Sequence, residues 1–472
     1  MTEFHHKPTQ VEQAQEEEVV KIVSLYQSAD KVYARKVKGL FSSIQRWSWL
    51  PLLGAYFLLP WIQFDGRQIV WFDLIERKFY VFHWVFWPQD FMLLAWLLII
   101  AAFSLFAVTV AVGRVWCGFT CPQTVWTLMF MWAENVCEGD RLKRIKLDRA
   151  PWNADKLLRK SAKQAIWIAI AFVTGLTFVG YFNPIRQLTV DLFTFSTEFQ
   201  PLFWTLFFTG ATYMNAGFMR EQVCKYMCPY SRFQSSMYDE NTLLVSYDQK
   251  RGEGRGPRKK GVDYRANGLG DCVDCTLCVQ VCPVGIDIRD GLQYECINCG
   301  YCVDACNAVM DKMEYPRGLI RFTTETELQE KKVRIWRPKL LGYILGVLIM
   351  STAFVYTMAT RIPVEVNVQR DRNALFRFTS NGELENAYTL KINNMGTEDR
   401  TYRILVAGDY EFDIKGNREV LVKEGEVHHT LIKLRLDPLA LQVPNADIVF
   451  TVEAIDDPEV RDTQESRFIG PR

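Results

Sequence analysis

No cysteine follows Cys306 in this 472-residue chain; all thirteen precede its last third. The C-terminal part can therefore form neither a disulfide nor a thiolate-held cluster. No C-x-x-C-H occurs, which excludes covalently attached c-type haem. Nicotinamide and ATP lack support as well, because there is no Rossmann fingerprint and no Walker loop. A Gly-x-Gly-x-Gly does sit in "DQKRGEGRGPRKKG", but without the strand and helix a nucleotide loop requires. It reads as a linker or an anionic-lipid contact. The net charge of +1 gives no basic field and so no nucleic-acid partner. Residues 1–30 are polar, include "EEE" and have no apolar h-region. They read as a disordered acidic arm with no cleavable signal peptide; the first apolar stretch serves as the signal instead.

Charge is also missing from five stretches: 47–64, 91–113, 164–182, 201–219 and 340–360. Each has the length that crosses a hydrocarbon core, about 18–23 residues. Trp and Tyr gather at their ends ("WSW", "PW", "YF"), as in an interfacial belt. The alternative is a set of buried helices in a large soluble protein. Lys and Arg crowd the flanks before stretch one, between two and three, and before five; few lie between one and two or three and four. By the positive-inside rule the N-terminus is cytoplasmic, the chain crosses a bacterial inner membrane five times, and the C-terminus is periplasmic. The predicted organisation is a four-helix membrane unit over 40–220, a connector over 221–260, a cysteine-rich domain over 261–325, a fifth transmembrane helix over 340–360 and an exported domain over 361–472.

The cysteine-rich domain carries "CVDCTLCVQVCP" from Cys272 and "CINCGYCVDACN" from Cys296. Zinc sites pair two distant C-x2-C knuckles. This spacing, C-x2-C-x2-C-x3-C given twice, is instead the bacterial ferredoxin run, whose fourth cysteine ligates the other cluster. Cys272, Cys275, Cys278 and Cys306 are thus assigned to one [4Fe–4S] cluster, and Cys296, Cys299, Cys302 and Cys282 to a second. Pro283 follows Cys282, but Asn307 follows Cys306, which predicts a more solvated site there. A cytoplasmic location suits free thiols.

Two further pairs, Cys117/Cys121 in "RVWCGFTCPQTVW" and Cys224/Cys228 in "EQVCKYMCPYSRF", both read C-x3-C-P, both closely follow an Arg and both follow an apolar stretch. They form an internal repeat. In a helix, residues i and i+4 share a face, so the pairs could bring four thiols together at the membrane boundary. Soft thiolates suit Cu(I), zinc or iron–sulfur units; small buried helix-contact residues are the plain alternative. Met227 could add a thioether, though packing is its ordinary role. Cys137 is solitary and reads as buried. His83, in "FYVFHWVFWP", could ligate haem, a quinone or copper; an interfacial histidine is the commoner case.

From 361 onward seven apolar–polar alternating segments, several separated by "SNGE", "NMGT" and "KGNRE", predict an immunoglobulin-like β-sandwich without its usual disulfide. Adjacent His428 and His429 would face opposite ways on a strand.

Five apolar stretches, C-x3-C-P after the second and fourth, the double ferredoxin run and the β tail together resemble the cytochrome c oxidase accessory protein family (CcoG, FixG or RdxA). That resemblance implies assembly of cbb3-type cytochrome c oxidase, with that oxidase or its assembly factors as partners. It also implies reduction of Cu(II) to Cu(I), making Cys117, Cys121, Cys224 and Cys228 copper or relay ligands. The electron donor stays unassigned. Two other classes remain open. One is a quinol-linked subunit similar to the iron–sulfur proteins of periplasmic nitrate or nitrous oxide reduction, which generally lack the fifth span and β domain. The other is a redox-sensing assembly scaffold.

Overall fold

The computed structural model describes residues 31–471, apart from 65, 262, 267, 372, 373 and 397. The acidic arm expected over 1–30 lies outside the described residues. The helices of the N-terminal part are α1 (Leu40–Leu58), α2 (Phe91–Val112), α3 (Val115–Phe119), α4 (Pro122–Cys137), α5 (Arg141–Arg149), α6 (Ala154–Gly180) and α7 (Phe199–Thr212). After them come α8 (Pro229–Met237), α9 (Tyr301–Met313) and α10 (Pro338–Ala359).

Among the described residues three helices, α2, α6 and α10, have the length and composition to cross a membrane. The five-span expectation is met only that far. None of the apolar window of α2 is buried by the protein, and little of that of α10. Helices apolar on all sides call for a lipid environment. The other two stretches are interrupted. Helix α1 carries Pro51 and ends in a 3₁₀ turn at Leu59–Trp61. The fourth stretch is fourteen residues of α7 continued by a π-helical segment, Tyr213–Met219. Fourteen α-helical residues rise about 21 Å, short of a core of about 30 Å. Gly175 lets α6 and α7 meet, since a Cβ there would lie 2.8 Å from Thr205 O.

Between α1 and α2 the aromatic run folds into a small antiparallel sheet of β1 (Val70–Asp73), β2 (Lys78–Val81) and β3 (Trp84–Phe86). It is tied to the end of α6 by Phe72 N–H donating to Tyr181 O at 2.7 Å. The ferredoxin-like unit is closed by β4 (Leu244–Tyr247) paired antiparallel with β5 (Ile320–Thr323). It therefore begins before the expected boundary at 261, because β4 lies within the segment read as connector.

The C-terminal strands are β6 (Val364–Arg370), β7 (Leu384–Asn394), β8 (Arg400–Gly408), β9 (Asp413–Lys415), β10 (Glu419–Val422), β11 (Val427–Leu436), β12 (Asn445–Ala454) and β13 (Arg461–Ile469). They form two antiparallel sheets, ordered β9-β11-β7-β6 and β10-β8-β12-β13, with Arg377–Phe378 added beside β7. Alternate residues of both sheets fill one core, including Tyr388, Leu390, Ile432, Tyr402, Phe450 and Phe468. This is the sandwich expected from the alternation. Two strands have no clear signal in the sequence: β9, of three residues, and β13. In β13 the carboxylate of Asp462 and the amide oxygen of Gln464 accept from the Val366 and Val368 N–H groups of the opposite sheet, at 2.8 and 2.7 Å. Its polar residues close a sheet edge, so it lacks the apolar face that marks the others.

Candidate functional site

The eight ferredoxin-run cysteines divide between two cavities. Cys272, Cys275, Cys278 and Cys306 line one, with Tyr247, Arg289 and Ile320. Cys282, Cys296, Cys299 and Cys302 line a second, with Val284, Ile297 and Tyr301; Cys278 lies on the wall shared by both. Each run sends its fourth cysteine to the other run's cavity. Among the described residues no three or more His, Cys, Asp or Glu are arranged to hold a metal ion. Each cavity instead receives the four thiols that the run spacing assigns to a single [4Fe–4S] group.

The backbone explains how twelve residues encircle such a volume. Asp274 (φ 53°) and Thr276 (φ 56°) flank Cys275 in the left-handed region; Asn298 (φ 52°) and Gly300 (φ 75°) flank Cys299 in the same way. Alternating hands turn successive N–H groups inward into a nest, a concavity that holds anions and iron–sulfur groups. Thr276 does this despite its branched Cβ, a conformation kept only where the surroundings demand it. Burial pushes the Cys278 and Cys306 thiols up to about 12 and Cys296 to about 11. They keep their protons until a metal displaces them.

Asn307 follows Cys306 of the first cavity and is half-buried. It sits inside α9, where proline would break the helix, and its Oδ1 accepts from Gly318 N–H at 3.0 Å. Solvent reaches the first cavity at Cys275, the one exposed member of the eight.

The Gly-x-Gly-x-Gly segment is neither a free linker nor a nucleotide loop. It lies along Leu269–Cys272: Asp271 N–H donates to Arg251 O at 2.9 Å, and Gly270 N–H to Gly254 O at 3.1 Å. A Cβ on Gly270 would come within 2.0 Å of Glu253 O, and one on Gly254 within 2.6 Å of Gly268 O. Glycine serves close backbone approach here.

Both membrane-side pairs adopt one local fold, and it is not an unbroken helix. Cys117 sits in α3 and Cys224 in a π-helical turn, Val223–Met227. Cys121 and Cys228 each occupy the cap before α4 and α8, with Pro122 and Pro229 first in those helices, where proline is tolerated. Cys121 N–H donates to Trp116 O and Cys228 N–H to Val223 O, each at 2.9 Å and five residues back. Cys117 and Cys224 each feel the charge of the other pair. Burial first, then neighbouring thiolates, push Cys117 up to about 12 and Cys224 to about 11.

These pairs abut the second cavity. Cys117 packs on Val284, Ile297 and Cys299. Gly118 lies so close that a Cβ would stand 2.6 Å from Ile297 O and 3.0 Å from Cys299 N. Cys224 shares a cleft with Pro283, Val284 and Ile297.

Several residues that the sequence did not single out hold this contact. Arg114, buried, donates to Tyr294 O and Ser231 O. Gln45, fully buried on α1, donates to Gly118 O and accepts from Tyr301 OH. The Cys117 thiol donates to Gln234 Oε1 at 3.4 Å. Asp304 caps α1, accepting from Phe41 N–H at 3.2 Å and Ser42 N–H at 2.8 Å. Only the nearby arginine of "RVWC" hinted at any of them.

The remaining candidates stand apart. His83 is exposed between β2 and β3, its ring 4.4 Å from that of Trp84. His428 and His429 pair with Ile392 and Lys391 on β7. Cys137 ends α4, half-buried. Met227 is exposed and lines an open cleft with Tyr226, Cys228, Pro229 and Phe233.

Comparison with known families matches residues 219–325 to a 4Fe-4S dicluster domain and 354–471 to an IG-like fold at the C-terminal of FixG. The chain thus carries an iron–sulfur dicluster domain and an immunoglobulin-like domain. A crystal structure of a FixG-related protein from Vibrio parahaemolyticus is 33% identical over 23% of this chain and 98% of that one, with a TM-score of 0.22. The nitrogen fixation protein FixG of Rhizobium meliloti is 39% identical, covering 81% of this chain and 80% of its own. Protein RdxB of Cereibacter sphaeroides is 39% identical (84% and 87%), and RdxA from the same organism 38% identical (81% and 84%). With that identity over most of both lengths, the chain belongs to the FixG family, an iron–sulfur group with an electron-transfer role.

Proposed function

We propose that this protein is a membrane-bound cupric reductase that makes Cu(I) for assembly of cbb3-type cytochrome c oxidase. In this reading the four thiols of each cavity hold one [4Fe–4S] group, which supplies one-electron transfer when bound. The observation that carries it is the contact of Cys117 and Gly118 with the Ile297–Cys299 loop, which joins a ferredoxin-type cavity to a soft-metal thiol set. Arg114 and Gln45 hold the loop and α3 together, and Gln234 orients the Cys117 thiol. Cu(II) binding at the four thiols displaces their protons. Each ion takes up one electron to become Cu(I), which thiolates hold well.

The same reading gives five crossings, with α1 and α7 plus its π-helical continuation completing the set. Both cavities then face the cytoplasm and the sandwich the periplasm. Positive flanks support this orientation. A second reading, quinol as the redox partner, is favoured by the aromatic cleft of Tyr226, Phe233 and Met227 beside Cys228.

The test is anaerobic. The full-length protein is reduced in detergent, freed of reductant and given Cu(II) with a Cu(I)-specific chelator, alongside Cys117→Ser/Cys121→Ser and Cys282→Ser variants. Cu(I) appearing as cluster absorbance recovers, and slowing in both variants, is the expected result. Clusters that stay reduced beside untouched copper overturn the cupric reading and make a short-chain quinone the next acceptor.

A further inference from the structure

The two cavities differ in what surrounds them. The second is walled by Cys117 and the Ile297–Cys299 loop and faces the membrane pairs. No membrane-pair residue lines the first, and Cys275 opens it to solvent. If electrons leave beside Cys117, they must arrive at the other end, and Cys275 marks that end.

The segment beside the first cavity is basic, and its Arg255 lies over Tyr247 of the lining, 5.8 Å from the ring. Residues 249–265 contain seven Lys or Arg and two Asp or Glu, a net of +5. Hydrogen bonds fix this segment to the loop that carries Cys272: Gly256 N–H donates to Cys272 O at 3.4 Å, and Arg258 Nη2 to Gly270 O at 2.5 Å. Gly254 lies against the same loop, where a Cβ would stand 2.6 Å from Gly268 O. Lys259 is exposed and makes no ion pair among the described residues. Lys260 reaches Glu314 at 2.6 Å in a pair exposed on both sides, which offsets little of its charge. Arg255 pairs with Glu253 at 3.0 Å. The carboxylates nearest Cys275 are already occupied, since Arg289 binds Asp274 and Asp287, each at 2.5 Å. Lys250 pairs with Glu330 at 3.1 Å and Arg251 with buried Asp271 at 2.5 Å; with those two partners and Glu314 counted, the segment keeps a net of +2, in a chain whose overall charge is +1.

We propose that this surface, Cys275 with the basic segment 249–265, is where the protein receives electrons. The partner it fits is a small acidic protein carrying a one-electron centre, of flavodoxin or plant-type ferredoxin chemistry. The proposal rests on the electron-transfer reading above and adds its donor side. Redox encounters use small, transient interfaces, and opposite charge speeds and orients such encounters more than it tightens them. The carrier loses one electron and the site bordered by Cys275 gains one; no proton need move. Anionic lipid is the competing ligand for a basic segment, but this one is bound along the Cys272 loop, not along an apolar helix.

The test uses full-length holoprotein in detergent, oxidised flavodoxin as the probe, and binding rather than turnover as the readout. Binding should weaken by about tenfold between about 20 and about 200 mM NaCl. A Lys259→Glu/Lys260→Glu variant should lose about tenfold at low salt, with iron content and cluster absorbance unchanged. Lys143→Glu/Lys146→Glu, on α5, should bind as wild type does. Equal loss in both variants, salt-independent binding, or no binding overturns the proposal. So does segment-dependent binding to phosphatidylserine vesicles with none to flavodoxin. Chemically reduced protein that makes Cu(I) while flavodoxin fails to bind would sink the docking surface and leave the cupric reading. Segment-dependent docking without Cu(I) formation would do the reverse.

Discussion

Gly118→Ala probes the junction between the thiol pairs and the second cavity. The added methyl would sit 2.6 Å from Ile297 O and 3.0 Å from Cys299 N, while ordinary contact begins near 3.4 Å. The obstacle is backbone on both sides, so no side chain can swing away. Helix α3 and the loop must part by about 0.8 Å, the difference between 3.4 and 2.6 Å. Overpacking of this kind costs about 1–3 kcal/mol. Displacements near 1 Å in a reacting arrangement can cost about 100-fold in rate. We expect a lower melting temperature, retained clusters, and Cu(I) formation slowed about tenfold or more. Gly210→Ala is the matched control: nothing lies within 4 Å of its added methyl, and a helix interior gains up to about 1 kcal/mol from the change. A Gly118→Ala protein that melts lower yet reduces copper at the wild-type rate would refute the idea that this contact carries the electron.

Three further outcomes are expected. Asn307→Pro, which restores the ferredoxin pattern, should destabilise by about 3 kcal/mol or more because position 307 lies inside α9; denaturant melts of the holoprotein would show it. Glu134→Gln should cost about 3–5 kcal/mol, since Arg144 (2.7 Å) and Arg220 (2.6 Å) share that buried carboxylate and would lose their counter-charge; a melting shift no larger than for an exposed substitution such as Glu330→Gln contradicts this. Asp148 is pushed up by burial, but hydrogen bonds from Lys160, Tyr33 and Lys31 outweigh this and hold it well below the usual carboxylate range. A depressed carboxyl stabilises the folded form above about pH 4 and loses that contribution as pH falls further. Hydrogen exchange at residues 31–36 should therefore rise on acidification, and Asp148→Asn should raise it already at neutral pH.

Much was legible in the chain itself. Spacing alone assigned Cys306 to the run beginning at Cys272, and Cys282 to the run beginning at Cys296; the cavities receive them in that arrangement. Alternation located seven segments of the sandwich, because one buried face per strand imposes a period of two. It missed β13, whose side chains are mostly polar and close a sheet edge, with Phe468 entering the core. The C-x3-C-P repeat was visible, but its geometry was not. A helix break with a bond five residues back depends on where Arg114 and Gln234 find partners, and those are distant in sequence. Likewise Gly118 and Gly270 look like ordinary glycines until another backbone comes within a few ångströms. Local spacing determined which chemistry this protein can hold, because ligand geometry is short-range and written in adjacent residues. Only the tertiary structure decided that the second cavity meets the membrane thiols and the first meets solvent, because that order depends on contacts between segments more than a hundred residues apart.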